Sequence, residues 1–317
     1  MTKRVLITGS AGYLGSKFAD LLAACPGYEI FGIDICEPKN LSAYKHFMQK
    51  SVTDVVAMRG IFEIANPDIA VHLAFVVTST HDRRLEERVA IVGTHNFLDC
   101  VARAKIPKVI FLSSAAAYGA HDDNDVPLTE KSPIRGVDGY GYSRLKARAD
   151  RMAQDFMSAH KECEFILLRP CLFIGPSTNN NFFDVLKYPL VPMISDYKGI
   201  RDPEFQFIHE DDMAHCLLAA VQKSVRGIYN VAGDGAAKFS ELVHRFGKHA
   251  MAVPAWFLYP VTALLWRLHL VTSPPAQLDF IRYPWIMDVS KMQKELFKPQ
   301  KDSIQAFDDF VASNVTN

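Results

Sequence analysis

Uninterrupted apolar runs recur along the first half of the chain, and between them the apolar residues take on the 3.6-residue spacing of helices. Val5–Thr8, Glu29–Ile33, Ile69–Phe75, Lys108–Ser114 and Glu164–Pro170 predict strands, and Tyr13–Ala24, Val55–Ala65, Arg84–Ala104 and Tyr142–His160 predict helices. Strands without polar alternation are covered on both faces. The pattern therefore predicts a parallel sheet between two layers of helices, a doubly wound α/β fold. Ligands of such sheets bind beyond the carboxyl ends of the strands. After Pro170 the pattern changes. Residues 175–205 are rich in proline, asparagine and aromatic residues without a long helix, and Gly227–Gly233 predicts one further strand. The expected division is a sheet domain of residues 1–174 plus 206–235 and a smaller substrate lobe of residues 175–205 plus 236–317.

One segment strains this picture. Met251–Leu270 is mostly apolar, with one arginine and one histidine, and a membrane span needs about 20 mostly apolar residues. Pro254, Pro260, Arg267 and His269 argue against a span. The expectation is a buried helix of the C-terminal lobe, with monotopic contact to a membrane surface as the alternative.

Charge and cysteine usage narrow the function classes. Lys+Arg and Asp+Glu both number 35, so there is no basic surplus to attract nucleic acid. The six cysteines form no C-x-x-C pair and read as reduced thiols. The first residues lack the apolar core and cleavage site of a secretory signal. The expectation is a cytoplasmic protein acting on a small molecule.

The stretch VLITGSAGYLG (Val5–Gly15) places Gly9, Gly12 and Gly15 between a predicted strand and a predicted helix. That is the context of a dinucleotide fingerprint. The first glycine makes a tight turn, the second lets a pyrophosphate approach the backbone, and the third lets helix pack on strand. Free N–H groups at the helix start face the phosphates. Asp34 ends the next strand, 19 residues beyond Gly15. A carboxylate there accepts hydrogen bonds from an adenosine ribose and repels a 2′-phosphate, which favours NAD over NADP.

The spacing T-G-x-x-G-x-x-G resembles the extended branch of the short-chain dehydrogenase/reductase superfamily, which includes NAD-dependent epimerases and dehydratases on a Rossmann-type sheet. The resemblance covers most of the chain. TGSAGYLG (Thr8–Gly15, with Ala11, Tyr13 and Leu14) is similar to the nucleotide loop of that branch. Asp54-Val55 resembles its adenine-side acid and apolar neighbour, and HLAF (His72–Phe75, with Leu73 and Ala74) resembles a strand end against the cofactor. SSAAAYG (Ser113–Gly119), YSRLK (Tyr142–Lys146), RPCLFIGP (Arg169–Pro176, with Pro170), QFIHEDDMA (Gln206–Ala214) and IYNVAG (Ile228–Gly233) complete the ordered set. The resemblance implies bound NAD and a homodimer.

Tyr142 and Lys146 lie four apart on a predicted helix and share a face. A phenol near pKa 10 is a poor base at neutral pH, and a neighbouring ammonium is expected to lower that value. Tyr142 is then the candidate general acid/base for hydride transfer at a secondary alcohol or ketone. The resemblance implies that Lys146 also holds the nicotinamide ribose. Ser114 is the candidate to bind the reacting oxygen. Tyr140 is followed four residues on by Arg144 and not by lysine, so it is not the expected acid/base.

Departures from the family pattern bear on the substrate. Ala90 stands where an asparagine is usual. Ala115 and Ala116 replace the Asp-Glu of sugar-nucleotide dehydratases, which argues against water elimination. Leu172 and Phe205 replace an asparagine and an arginine that anchor nucleotide sugars, and Arg201 is a possible substitute. In the loop Thr78–Arg84, His81, Arg83 and Arg84 are candidates to bind an anionic or hydroxylated substrate. His209, Glu210, Asp211 and Asp212 point in different directions and are not expected to bind a metal. Phe182, Phe183, Trp256, Phe257, Tyr259 and Trp266 form an apolar pocket wall or the core of the lobe. The leading expectation is an NAD-dependent oxidoreductase whose substrate has an apolar portion. The alternatives are a UDP-sugar 4-epimerase that retains NAD and, from another class, a catalytically idle dinucleotide-sensing regulator.

Overall fold

The structure is a computed structural model that describes residues 2–77, 80–178, 185–186 and 190–315. Phe182 and Phe183, named above as pocket or core candidates, lie outside the described residues, as do Thr78 and Ser79. In chain order the strands are β1 (Lys3–Thr8), β2 (Tyr28–Asp34), β3 (His46–Gln49), β4 (Ile69–His72), β5 (Lys108–Leu112), β6 (Glu164–Pro170), β7 (Leu172–Ile174), β8 (Leu190–Asp196), β9 (Gly199–Ile200), β10 (Glu204–Phe205), β11 (Phe207–His209), β12 (Gly227–Val231), β13 (Ala237–Lys238) and β14 (His249–Pro254). The helices are α1 (Tyr13–Ala23), α2 (Val55–Ala65), α3 (Arg83–Glu87), α4 (Thr94–Ala104), α5 (Gly141–Ala159), α6 (Glu210–Gln222), α7 (Phe239–Arg245), α8 (Ala255–Arg267), α9 (Ser290–Glu295) and α10 (Ser303–Val315).

Seven strands form one sheet in the order β12-β6-β5-β4-β1-β2-β3, with every pairing parallel. The absence of polar alternation has a direct cause. Val5 and Ile7 of β1 enter one buried layer with Phe18 and Leu22 of α1, while Leu6 enters the opposite layer with Phe62 of α2 and Phe97 of α4. Successive side chains of a strand point to opposite faces, so both must be apolar when helices cover both. Strand order reverses between β1 and β4, and the crevice beyond their carboxyl ends is the switch point of the sheet.

Three elements depart from the expectations. The edge strand β3 has no sequence signal, because it is four residues long and no residue in it is fully buried. The expected helix Arg84–Ala104 is interrupted by a π-helical turn at Arg88–Gly93, which contains Ala90. The third concerns the apolar segment after Met251. It contains a helix, but none of the residues of α8 is buried. The expected buried helix is therefore an exposed one. Its half-buried residues pack on β8, β14 and the 3₁₀ turn Pro275–Ile281, and the rest face outward. No helix of the described residues is long and apolar enough to cross a membrane.

Outside the main sheet, β7 pairs in parallel with β11, β10 pairs with β13, and β14-β8-β9 form a three-stranded sheet. Between these pieces the rings of Phe239, Phe205, Trp285 and Phe280 meet in a chain of tilted and edge-to-face contacts.

Candidate active site

A cavity of about 370 Å³ lies at the switch point. Its near end is built by the loop between β1 and α1. Gly9 has φ +70°, and a Cβ there would meet the backbone nitrogen of Ala74 at 2.6 Å. A Cβ on Gly15 would meet the carbonyl oxygen of Gly9 at 2.1 Å. Those two glycines are required by the protein's own packing. Gly12 differs: a Cβ there meets nothing closer than the Gly9 oxygen at 3.3 Å, and Gly12 lines the cavity. The space it leaves is not filled by the protein. Gly12 is also the N-cap of α1, and no side chain caps that helix. The open N–H groups and the helix dipole favour negative charge at this end.

Asp34, at the end of β2, lines the same region. Its carboxylate accepts from the amide of Ala11 at 2.9 Å and from that of Ile35 at 2.7 Å. It therefore fixes the glycine loop from behind while presenting a negative charge to the cavity. The uncapped helix start, the unfilled space at Gly12 and this carboxylate together fit a dinucleotide.

At the far end, α5 carries Tyr142 and Lys146 to the wall opposite the ends of β4 and β5. Ser143 locks the start of α5, donating to the carbonyl oxygen of Ala116 at 2.7 Å and accepting from the amide of Val137 at 2.9 Å. Lys146 is buried and donates to the carbonyl oxygen of Leu112 at 2.9 Å. Its Nζ lies 3.9 Å from the centroid of the Phe75 ring, which meets the Tyr142 ring edge-to-face with centroids 5.7 Å apart. Burial pulls the Lys146 ammonium down to about 7, against a smaller upward pull from Asp150. The Tyr142 phenol does not follow the sequence expectation. Burial pushes its pKa up, and the hydrogen bond with Ser114 only partly offsets this. The ammonium is too costly to hold at full charge in this wall, so it does not drive the phenol to ionise.

Behind this wall is a buried network that the sequence did not reveal. Arg169 donates to both oxygens of Asp150, at 2.9 and 2.8 Å, and Ser113 donates to Asp150 at 2.5 Å. Arg169 also donates to the Tyr118 hydroxyl at 2.8 Å, which donates to Asn230 at 2.7 Å. Asp150 follows Lys146 by one helical turn, and that i, i+4 spacing was the available signal. His72 bonds Thr8 through Nδ1 at 2.7 Å, and burial drives its pKa down to about 3, so it stays neutral.

Of the predicted residues, Gly9, Gly12, Tyr13, Leu14, Gly15, Asp34, Leu73, Ala74, Phe75, Ser113, Ser114, Tyr142, Lys146, Pro170 and Leu172 all line the cavity. Others are placed elsewhere. Thr8 is committed to His72, and Ala11 to Asp34. Asp54 caps α2, accepting from the amides of Val56 and Ala57 at 3.0 Å, and Val55 is exposed beside it. Ser51 and Val52 line the cavity in their place.

The substrate candidates fare worst. Ala115 turns into the core and Ala116 lines the cavity instead. His81 stacks between Trp266 and His269, and Arg83 begins α3 outside the lining. Arg201 is bound by Asp122 and Asp196, and Phe205 is packed in the core. The wall around Leu172 is completed by Tyr140, Phe173, Phe280 and Trp285. Phe280 and Trp285 come from a segment more than a hundred residues away with no motif of its own. Tyr140 lay in view, two residues before Tyr142. Its ring centroid is 5.9 Å from that of Tyr142, although Tyr140 was considered only as an acid/base.

A parallel sheet, a glycine-lined cavity end and a Ser–Tyr–Lys set at its switch point are the features of a Rossmann-type, NAD-dependent enzyme of the oxidoreductase kind. Residues 5–232 match the NAD dependent epimerase/dehydratase family, and the chain belongs to that family. An uncharacterised protein of Mycobacterium tuberculosis is 23% identical over 317 residues, covering 97% of this chain and 83% of that one. UDP-glucose 4-epimerase 2 of Arabidopsis thaliana is 28% identical over 293 residues, covering 78% of this chain and 81% of that one. Among solved structures, UDP-glucose 4-epimerase of Thermus thermophilus in complex with NAD superposes with a TM-score of 0.74 at 18% identity, covering 98% of each chain.

Proposed function

We propose that the chain transfers hydride between NAD and a secondary alcohol or ketone that carries an apolar portion. Bound NAD would supply the carbon that takes or returns the hydride. Gly9, Gly12 and the start of α1 would hold its pyrophosphate, Asp34 its adenosine ribose, and Lys146 its nicotinamide ribose. Tyr142 keeps its proton at neutral pH, so it is set to donate to a carbonyl oxygen and, in reverse, to take a proton from a hydroxyl. Ser114, hydrogen-bonded to Tyr142, would hold the same oxygen. Asp150, Ser113 and Arg169 would position Lys146 and the strand end.

The observation that carries the apolar part is the lining beyond Tyr142. Leu172, Phe173, Phe280 and Trp285 face the space, and no arginine lines it among the described residues. A diphosphate needs cations or N–H donors, whereas an apolar group needs area and shape. Phe280 and Trp285 belong to residues 236–317, which supports a lobe of residues 175–205 plus 236–317 that selects substrate over a cofactor-binding domain. Six free cysteines support a reducing, cytoplasmic setting, and the homodimer implied by the family resemblance is part of this reading.

A second reading is a UDP-sugar 4-epimerase that keeps its NAD, and the relatives named UDP-glucose 4-epimerase favour it. The absorbance of the purified protein separates the two. Reduced or oxidised nicotinamide that survives purification supports the epimerase, and an empty site that turns over added NAD with an apolar alcohol supports the oxidoreductase.

A further inference from the structure

The outward face of α8 is apolar where a surface helix is ordinarily polar. The exposed positions of the helix and its cap are Trp256, Phe257, Pro260, Ala263, Leu264, Arg267 and Leu268, which follow helical spacing along one face. Trp256 is 77% exposed, Phe257 51% and Leu264 58%. Met251 on the edge strand β14, and Leu270 after the helix, extend the patch. Lone exposed apolar residues need no explanation, but a continuous stripe with an exposed tryptophan does.

The charges around the stripe select what covers it. Residues 242–278 contain no aspartate or glutamate, whereas they contain Arg245, Lys248 and Arg267. Arg245 is held by Glu241 and Asp308, which leaves Lys248 at one end of the patch and Arg267 at the other. A second copy docked on this face through a two-fold axis would meet the same patch. It would bring Lys248 and Arg267 toward cations, and residues 242–278 would offer it no acid. An anionic lipid surface offers both the missing negative charge and an apolar layer. The helix has 13 residues, about 20 Å at 1.5 Å per residue, against the roughly 30 Å of a hydrocarbon core. It is long enough to lie in the interface and too short to cross it.

We propose that α8 and β14 form a docking surface for an anionic bilayer. Two half-buried residues of α8 tie it to segments that also supply cavity-lining residues. Tyr259 of α8 donates to Asp279 at 2.5 Å, one residue before the cavity-lining Phe280. Trp266 stacks on His81, close in sequence to the lining residues Val76 and Val77. Docking through α8 therefore sets the apolar end of the cavity beside the membrane surface. The docking inference does not rest on the hydride-transfer reading, because vesicle binding is measured without substrate or cofactor.

The test is co-sedimentation of the full chain with vesicles of phosphatidylcholine alone and of equimolar phosphatidylcholine and phosphatidylglycerol, alongside light scattering without lipid. The wild type is expected to sediment with the anionic vesicles and to be released by salt. A triple variant, Trp256→Gln, Phe257→Gln and Leu264→Gln, changes only exposed positions and is expected to bind at least tenfold more weakly, with its circular dichroism unchanged. Lys248→Gln with Arg267→Gln is expected to reduce binding to anionic vesicles and to remove its salt dependence. Three results would overturn the proposal: a wild type that stays in the supernatant, a triple variant that sediments as well as wild type, or a wild-type dimer that the triple variant splits into monomers. The last would mean that a second copy covers the face.

Discussion

The two ends of the cavity are made in different ways. The cofactor end is built largely from backbone: the four-residue loop Gly9–Gly12, an uncapped helix start and the Asp34 carboxylate, with Ser51 and Val52 beside them. The far end is side chains gathered from β7, the start of α5 and the segment holding Phe280 and Trp285. A backbone site leaves little room for a change of side chain, whereas the far end is made of side chains, which in the reading proposed above select the substrate. Tyr142 and Lys146 sit between the ends and belong to neither.

The sharpest break of this comparison is at that junction. Tyr142→Phe removes only the phenol oxygen, so turnover should fall by roughly 10²–10⁴-fold while NAD affinity and the unfolding transition stay put. Near-normal turnover of the variant would take Tyr142 out of the chemistry. The next effect tests the rigidity of the cofactor end. Gly9→Ala places a Cβ against the Ala74 backbone at a left-handed φ, and should cost about 2–4 kcal/mol in denaturant unfolding. Gly12→Ala should cost far less stability and show its loss in NAD titrations instead, because only the cavity receives that methyl group.

Asp34→Ala addresses selectivity at the same end. NAD binding should weaken roughly tenfold and NADP binding should improve, because the charge that repels a 2′-phosphate is gone. Calorimetry with both cofactors reads this, and a wild type that prefers NADP would contradict it. The smallest effect is on the pH dependence of the cofactor-free protein. Lys146 titrates at about 7 in the folded chain against 10.5 ordinarily. Between those values the unfolded chain holds a proton that the folded chain has lost, so stability rises with pH. Below about 7 both states are protonated and the burial cost is fully present. Against Lys146→Met, wild type should therefore gain melting temperature as pH climbs from about 7 toward 10.5. A constant difference across that range would mean that Lys146 is not desolvated in solution.

What the sequence disclosed divides along the same line. The sheet, the glycine loop, Asp34 and the Ser–Tyr–Lys set were legible because each depends on local spacing. Apolar runs report two-sided burial, three glycines report a backbone turn, and four residues of helix report a shared face. The substrate candidates were not legible. Arg201 and Arg83 looked available as charges, but the ion partners of Arg201 lie 5 and 79 residues away, and only the fold brings the distant one near. Phe280 and Trp285 carry no signal, since an aromatic residue in a core and one in a pocket wall have the same sequence neighbourhood. The segment after Met251 misled for a related reason. Hydrophobicity alone predicts burial, and α8 is apolar on the face that the fold leaves open.

The measurement that bears most directly on the two-ended cavity is a calorimetric titration of UDP and of UDP-glucose into the NAD-loaded protein. A backbone cofactor end joined to an apolar far end predicts no binding of either in the low-micromolar range, since a diphosphate would meet Leu172, Phe173, Phe280 and Trp285, and no arginine lines the cavity among the described residues. Low-micromolar binding of either ligand would contradict the apolar far end and establish the UDP-sugar reading in its place.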